Sequence, residues 1–495
     1  MAGVFKSLDK SDVRITPFRT HKLWSETLES TTTITNPNGY ALSTSSIQYV
    51  TYPYKHRADK GPRLYFIDTD QNFVSYQVST GQVAGTAPYI ESSVNYLTSV
   101  FVFGSPFAKS NQFVLSTNYP NAFEFVSYDT DLTTQYGNPL AIQSLQLQAH
   151  TGTQETVNHL AYHGHLGNVN GRATTYACTS GRLMYITVDS NHQLVGSGEV
   201  ANSGSFGGGS AYTFLGSVAK GGLTSYAIAY DIPQNRFTLH TLPTTSSINT
   251  TPDSTINYTT PIDNWSWNPD WRIKTVLNAN SGSAVNSVMF LLKQLHTDKP
   301  SPIFMMASGS GGSGNILNGN FVALLQDSSF WDSYSLRSGY ANRKYYAVTS
   351  EGYVYKDLKY RTNQFTYGDI LDLRQYVGVG NVVIDAVITA DNDVLQTPGT
   401  PKMITMMVKP LNGSGYGLAS HQLISVNVET NEVYNPIHLG SYPDGYLYKQ
   451  FSYEHAGCSN IIANGTSVLG VSGFSILNKQ AGAGQVKVHT FNINV

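Results

Sequence analysis

Residues Arg63 to Gly85 read RLYFIDTDQNFVSYQVSTGQVAG, and this stretch sets the pattern for most of the chain. A strand-forming run rich in aromatic and β-branched residues ends at Ile67, and the polar cluster Asp68 to Asn72 turns the chain. A second run, Phe73 to Val78, leads back to another turn at Thr80-Gly81. Short runs of this kind, bounded by Asn, Asp, Gly and Ser, mark β-hairpins. Similar strand–turn–strand units start near Asn111, Ala173, Leu223, Val285, Lys344, Met403 and Asn460. RLMYITVDSNHQLVGSG, from Arg182, and HQLISVNVETNEVYNPI, from His421, repeat the first unit best. Asn170-Gly171, Asn318-Gly319, Asn412-Gly413, Asp444-Gly445 and Asn464-Gly465 each suit a primed hairpin turn, which needs positive φ.

The units recur about every 57 residues between Arg63 and Asn460, somewhat above the roughly 40–50 of familiar propeller repeats. Helical patterning is nearly absent; GDILDLRQYVG (Gly368 to Gly378) suggests a turn or two. Recurrent antiparallel units without helices leave a sandwich, a barrel or a propeller. The repeat favours an all-β, β-propeller-like body, because each small sheet then buries its faces against its neighbours. Seven blades are expected within a range of six to eight, and tandem β-sandwiches are the alternative. Two Gly/Ser-rich stretches, SGSFGGGSA (Ser203 to Ala211) and SGSGGSGN (Ser308 to Asn315), read as flexible loops within the body. Neither has the Lys-Ser/Thr ending of a phosphate-binding loop.

The first 45 residues differ. Val4, Phe5, Leu8, Val13, Ile15, Phe18, Leu23 and Trp24 are scattered among charges without a sustained period, and Asn36-Pro37 and Asn38-Gly39 signal turns. Residues 1–45 are therefore expected to form an extended N-terminal docking arm, and residues 46–495 the body. Lys6, Lys10, Arg14, Arg19 and Lys22 against Asp9 and Asp12 give residues 1–24 a net charge of +3. With −2 overall, about −5 remains for the rest. Pro17 biases Thr16 toward extended geometry. An extended arm is able to add a strand to a neighbour's sheet edge while Phe5, Leu8, Ile15, Phe18 and Trp24 fill pockets.

Charged residues make up 13% of the 495 residues, about half the usual fraction of roughly 25%, and 33 tyrosines help replace them. A surface solvated by hydroxyls, amides and phenol tips repels copies of itself weakly, which suits a permanent assembly. The overall charge gives no reason to expect nucleic-acid binding. Cys178 and Cys458 make neither a disulfide framework nor a zinc cluster. The start lacks the apolar core of a secretory signal, and no run approaches the roughly 18 apolar residues of a membrane helix. The sequence therefore predicts a soluble chain with no membrane partner.

Three constellations carry possible chemistry. His159, His163 and His165 share parity on a strand and would face one side, a candidate metal site, although no acidic or thiol partner adjoins them. Trp265, Trp267 and Trp271 in DNWSWNPDW flank Asp263 and Asp270, as a glycan-stacking platform would. The alternative is a core plug between blades, which the usual burial of Trp favours. TSEGYVY (Thr349 to Tyr355) faintly resembles the Asp-box turn of sialidase propellers but lacks its Asp and Trp, so it reads as a plain hairpin. No carboxylate pair stands out for glycoside hydrolysis, and no nucleophile elbow, HExxH or CxxC occurs. No catalytic residue and no cofactor is expected.

The segment VFKSLDKSDVRITPFRTHKLW (Val4 to Trp24) resembles the start of virion structural proteins of large tailed bacteriophages, crAss-like and related. The shared Phe-x-Ser-Leu-x-x-Ser-Asp-Val, Thr-Pro-Phe and Lys-x-Trp elements fall on Phe5, Ser7, Leu8, Ser11, Asp12, Val13, Thr16, Pro17, Phe18, Lys22 and Trp24. The resemblance covers about five per cent of the chain. It implies a non-enzymatic tail, collar, ring or baseplate protein in the virion, assembled in the host cytoplasm. Its partners would be other virion proteins and copies of itself. A receptor-binding module for host glycan is the alternative, and a polysaccharide-degrading enzyme the third reading.

Overall fold

The computed structural model describes residues 24–33, 48–50, 63–67, 72–77, 82–88, 112–118, 122–129, 132–133, 135, 140–143, 157–161, 172–179, 183–189, 194–200, 212–221, 224–242, 252–257, 271–278, 286–294, 299–308, 312–326, 344–361, 364–389, 402–411, 421–434, 436–438, 446–450, 473–480 and 485–493. These residues are almost entirely strands, joined in chain order into small antiparallel sheets.

Blade 1 comprises Gln48–Val50, Arg63–Ile67, Asn72–Gln77 and Gln82–Pro88. Blade 2 comprises Gln112–Asn118, Ala122–Asp129 and Leu140–Gln143. Blade 3 runs through Val157–Ala161, Arg172–Thr179, Leu183–Asp189 and Leu194–Glu199. Blade 4 is built from Tyr212–Gly221, Thr224–Asp231, Arg236–Leu242 and Ser254–Asn257. Trp271–Asn278, Asn286–Gln294 and Ser301–Ser308 make blade 5. The long strand Asn315–Gln326 pairs first with Ser301–Ser308 and then with Tyr345–Thr349, so it hands the chain from blade 5 to blade 6. Tyr353–Lys356 and Asp369–Asp372 complete blade 6. Blade 7 holds Asn381–Thr389, Met403–Pro410, Gln422–Asn427 and Ile437–His438. Blade 8 holds Tyr446–Gln450, Gly473–Gln480 and Gln485–Ile493, with Trp24–Thr33 as its outer strand.

The fold is thus all-β and propeller-like, and the described strands form eight blades, the top of the expected range. Seven of the eight units marked in the sequence fall on hairpins of these blades, and the unit expected to start near Asn460 begins outside the described residues. In blade 1, Arg63 pairs with Gln77 and Ile67 with Phe73, as the opening stretch suggested.

The core lies between blades. In blade 5, Val288, Phe290 and Leu292 face blade 4, while Met289 and Leu291 face blade 6. The next strand repeats the division: Phe304 and Met306 toward blade 4, Ile303, Met305 and Ala307 toward blade 6. Blade 6 then buries Tyr346 and Val348 against Ile404, Met406 and Val408 of blade 7. On its other side, blade 4 presents Ala227 and Ala229 to Leu183 and Val200 of blade 3. Strands covered on both faces read as near-continuous apolar runs, such as Val288–Leu292 and Met403–Val408 with Thr405 its one polar residue, instead of alternating. Each large side chain so buried contributes roughly 1.5–3 kcal/mol.

Some turns recur as well. Asp231 Oδ1 accepts from the Gln234 amide at 3.3 Å, and Asn235 follows at φ 50°. Asn427 Oδ1 accepts from the Glu429 and Thr430 amides at 2.9 and 3.2 Å, and Asn431 follows at φ 63°. Asp and Asn suit both roles, because their short side chains hold the turn and tolerate the left-handed conformation. The same spacing stands in the sequence at Asp68 and Asn72.

Three expectations need correction. First, Trp24–Thr33, placed in the expected arm of residues 1–45, pairs along its length with Gln485–Ile493, from Trp24 opposite Ile493 to Thr33 opposite Gln485. The strand belongs to the body: it supplies the last blade with its fourth strand and joins the two ends of the chain. Second, Ser308–Asn315 is not wholly a free loop. Gly312–Ser313 pairs in parallel with Ser254 and Thr255 on the edge of blade 4, and the Gly314 amide donates to Thr255 O at 2.9 Å. Third, Asn318-Gly319 lies inside the hand-over strand between blades 5 and 6, not in a hairpin loop. GDILDLRQYVG makes the helical turn expected of it, Arg374–Val377, and also supplies the outer strand of blade 6, Asp369–Asp372.

Candidate interaction surface

The residues singled out from sequence mostly fall outside the described residues. That holds for Phe5, Leu8, Ile15 and Phe18 of the arm, for His163 and His165, and for Trp265 and Trp267. Trp24 opens the closing strand of blade 8. His159 stands opposite Cys178 in blade 3, and Trp271 opens blade 5 opposite Gln294. Among the described residues no group of three or more His, Cys, Asp or Glu is placed to hold a metal. TSEGYVY is the hairpin it was read to be: Thr349 and Tyr353 flank a tight turn with Gly352 at φ 101°, and the Tyr353 amide donates to Thr349 Oγ1 at 3.1 Å.

Among the described residues, a set of exposed and half-buried functional groups lies on the outer half of blade 6. Tyr353 and Tyr355 share parity on the third strand and therefore one face. The Arg374 guanidinium lies 4.7 Å from the Tyr353 ring centre. Asp372 fixes that guanidinium from two sides, accepting from Nε at 3.0 Å and from Nη2 at 2.7 Å. A planar guanidinium held by both oxygens of a carboxylate loses little further freedom on meeting a partner. Tyr355 meets Phe321 and Tyr367 edge-on, with ring centres 5.3 and 5.1 Å away, and Tyr367 is largely exposed.

The electrostatics follow from this packing. The side-chain hydrogen bond from Arg374 holds the Asp372 carboxyl below its ordinary range, and Asp372 in turn raises Arg374. Burial pushes the Tyr355 phenol up, with Tyr367, Tyr353 and Glu351 adding to it. Burial lowers Lys356, opposed by Asp369 and Asp357. The Lys356 ammonium donates to Asn431 Oδ1 at 2.9 Å and so ties blade 6 to the capped turn of blade 7. At the other end of blade 6, Asn320 Nδ2 donates to Glu351 Oε1 at 2.7 Å.

Chemically, the set offers phenol faces and one braced guanidinium, the residue types that dominate contact energetics between proteins. Sequence reading missed it because its parts stand at 353–355, 367 and 372–374, spread over two strands and a hairpin. The tyrosine density of YVYKDLKYRTNQFTYGDILDLRQY (Tyr353 to Tyr376) is the signal that pointed to it.

No protein-family model matches the chain, and no curated protein matches it in sequence. Solved structures that are similar include the C-terminal WD40 domain of Sif2, at 10% identity and TM-score 0.45, covering 96% of this chain and 99% of that one. Saccharomyces cerevisiae Sqt1 is similar at 10% identity and TM-score 0.42, covering 88% and 94%. The β-propeller domain of Myceliophteria thermophila Cps50 (Swd1) is similar at 7% identity and TM-score 0.38, covering 91% and 96%.

Proposed function

We propose that this chain is a non-enzymatic structural component of a tailed-phage virion, a propeller-like body attached to neighbouring virion proteins by its N-terminal arm. One observation carries the reading. The segment that resembles phage virion proteins ends at Trp24, where the strand that closes blade 8 begins. The docking segment is thus joined directly to a body that completes its own last sheet. Attachment and folding are separable tasks in such a chain.

The rest of the molecule is in keeping with this. A charge-poor, tyrosine-rich surface favours lasting contact with neighbours over free diffusion. The braced Arg374 and its tyrosines supply one patch for such contact. Anchoring through Phe5, Leu8, Ile15 and Phe18 would contribute roughly 1.5–3 kcal/mol per buried side chain before ordering costs.

The test is deletion of residues 1–23 in the producing phage. The truncated chain is expected to accumulate folded in the infected cell and to be missing from purified particles. Particles that still hold the truncated chain at full occupancy would refute the reading.

A further inference from the structure

We propose that the outer edge of blade 1, Gln82–Pro88, is the acceptor for the N-terminal arm of a second copy of this chain, which adds to it as a fifth strand. The inference rests on the docking role given to the arm and names the surface that receives it.

The other outer strands are covered, short or charged. That of blade 4 is capped by Gly312–Ser313, and those of blades 2 and 3 lie against each other. The outer strand of blade 5 runs on into blade 6. Blade 6 ends in a strand carrying Asp369 and Asp372, and the described part of blade 7's outer strand is Ile437–His438. Trp24–Thr33 of blade 8 carries Glu26 and Glu29. Charges, shortness, covering, bulges and proline are the usual ways in which an edge is kept from pairing with another chain. Gln82–Pro88 has neither charge nor, among the described residues, cover; its bulge at Ala84 and its terminal Pro88 leave Gly85–Ala87 as the regular part of the edge. The strand is seven residues long, contains no charged side chain and, among the described residues, pairs on one side only, with Asn72–Gln77. Gln82, Val83 and Thr86 are exposed, Val83 at 56%. A bulge at Ala84 interrupts the ladder, and Gly85–Pro88 continues in regular register.

The occupant is argued from sequence and charge. Val13-Arg14-Ile15-Thr16 alternates β-branched apolar and polar residues just before Pro17, the pattern of an added strand. The 23 residues before Trp24 span up to about 75 Å when extended, several times the edge they would cover. The arm carries +3 and the rest of the chain about −5, so the arm of one copy is attracted to the body of another. Such head-to-tail contact builds a ring when the rotation closes.

The experiment uses the full-length chain with a photoreactive side chain at position 86, as an equal mixture of isotopically heavy and light copies. Crosslinks from position 86 to residues 4–18 are expected, about half of them joining heavy to light. Val83→Lys should suppress them, and deletion of residues 1–23 should speed amide exchange across Gln82–Pro88 at least about tenfold. Crosslinks confined to copies of one isotope would mean that each arm returns to its own ring, a real competitor because Trp24 and Gln82 both begin fourth strands. Crosslinks from 86 to 86, or none, would equally overturn the proposal. A Val83→Lys chain that enters particles normally, while the arm deletion does not, would sink this acceptor and leave the docking role of the arm standing.

Discussion

Tyr230 ties several features of blade 4 together. Its ring is buried between blades 4 and 5, edge-on to Phe237 at 5.1 Å, and its hydroxyl donates to Asn235 Oδ1 in the left-handed turn. Burial, followed by the charge of Asp231, pushes the phenol up to about 12 from an ordinary 10.0. The folded state therefore keeps the proton longer than the unfolded state. That stabilisation is fully present below pH 10.0 and is lost as pH rises toward about 12. Tyr230→Phe is expected to cost about 1 kcal/mol at neutral pH and to make the loss of stability between about pH 8 and about pH 11 shallower. Thermal midpoints of both chains at the two pH values check this. Phe304 stands on packing alone. It stacks on Phe290 with ring centres 5.1 Å apart and meets Phe237 at 4.6 Å. Phe304→Ala should cost about 3–5 kcal/mol, read as a lower urea midpoint with an unchanged slope.

At the scale of elements, hairpins were legible and their edges were not. Arg63–Gln77 could be placed from sequence because local turn chemistry at Asp68–Asn72 fixes both its existence and its register. Val288–Leu292 and Met403–Val408 gave the right strands but no facing, since both sides are buried and the period of two disappears. Trp24–Thr33 was read as arm because its partner, Gln485–Ile493, lies at the far end of the chain, and local composition carries no trace of so distant a pairing. The tyrosine and arginine surface of blade 6 stayed hidden for a related reason, as it forms only when separate strands come side by side. The clasp on blade 4 was missed because Gly/Ser composition reads as flexibility. Here the glycine serves close approach: a Cβ on Gly314 would sit 2.0 Å from Ile256 Cγ1 and 2.9 Å from Met305 O. Gly314→Ala must therefore push the clasp off the blade 4 edge, at a cost of about 1–3 kcal/mol. Faster exchange of the Gly314 amide, now bonded to Thr255 O, would accompany it. An alanine variant with unchanged stability and exchange would show that the clasp contributes nothing.

For the whole molecule, closure decides where the arm ends and the body begins. Blades 3 to 7 bury their faces on one another, and a defective last blade is expected to weaken its contact with blade 7. Trp24–Thr33 supplies the fourth strand of that blade across a register interrupted only between Glu26 and Leu28. Hydrogen bonds of this kind contribute about 0.5–1.5 kcal/mol each, so the strand as a whole is worth several. Deleting residues 1–23 should leave the unfolding midpoint within about 1 kcal/mol of the full chain, because the ladder begins at Trp24. Deleting residues 1–33 removes the ladder and bares Gln485–Ile493, whose open edge is a template for association. That chain should unfold several kcal/mol more easily and aggregate on concentration, seen by denaturant titration and light scattering. Equal stability of the two truncated chains would mean that the last blade does not need its fourth strand. The boundary between anchor and ring would then have to move from Trp24 toward Gln48.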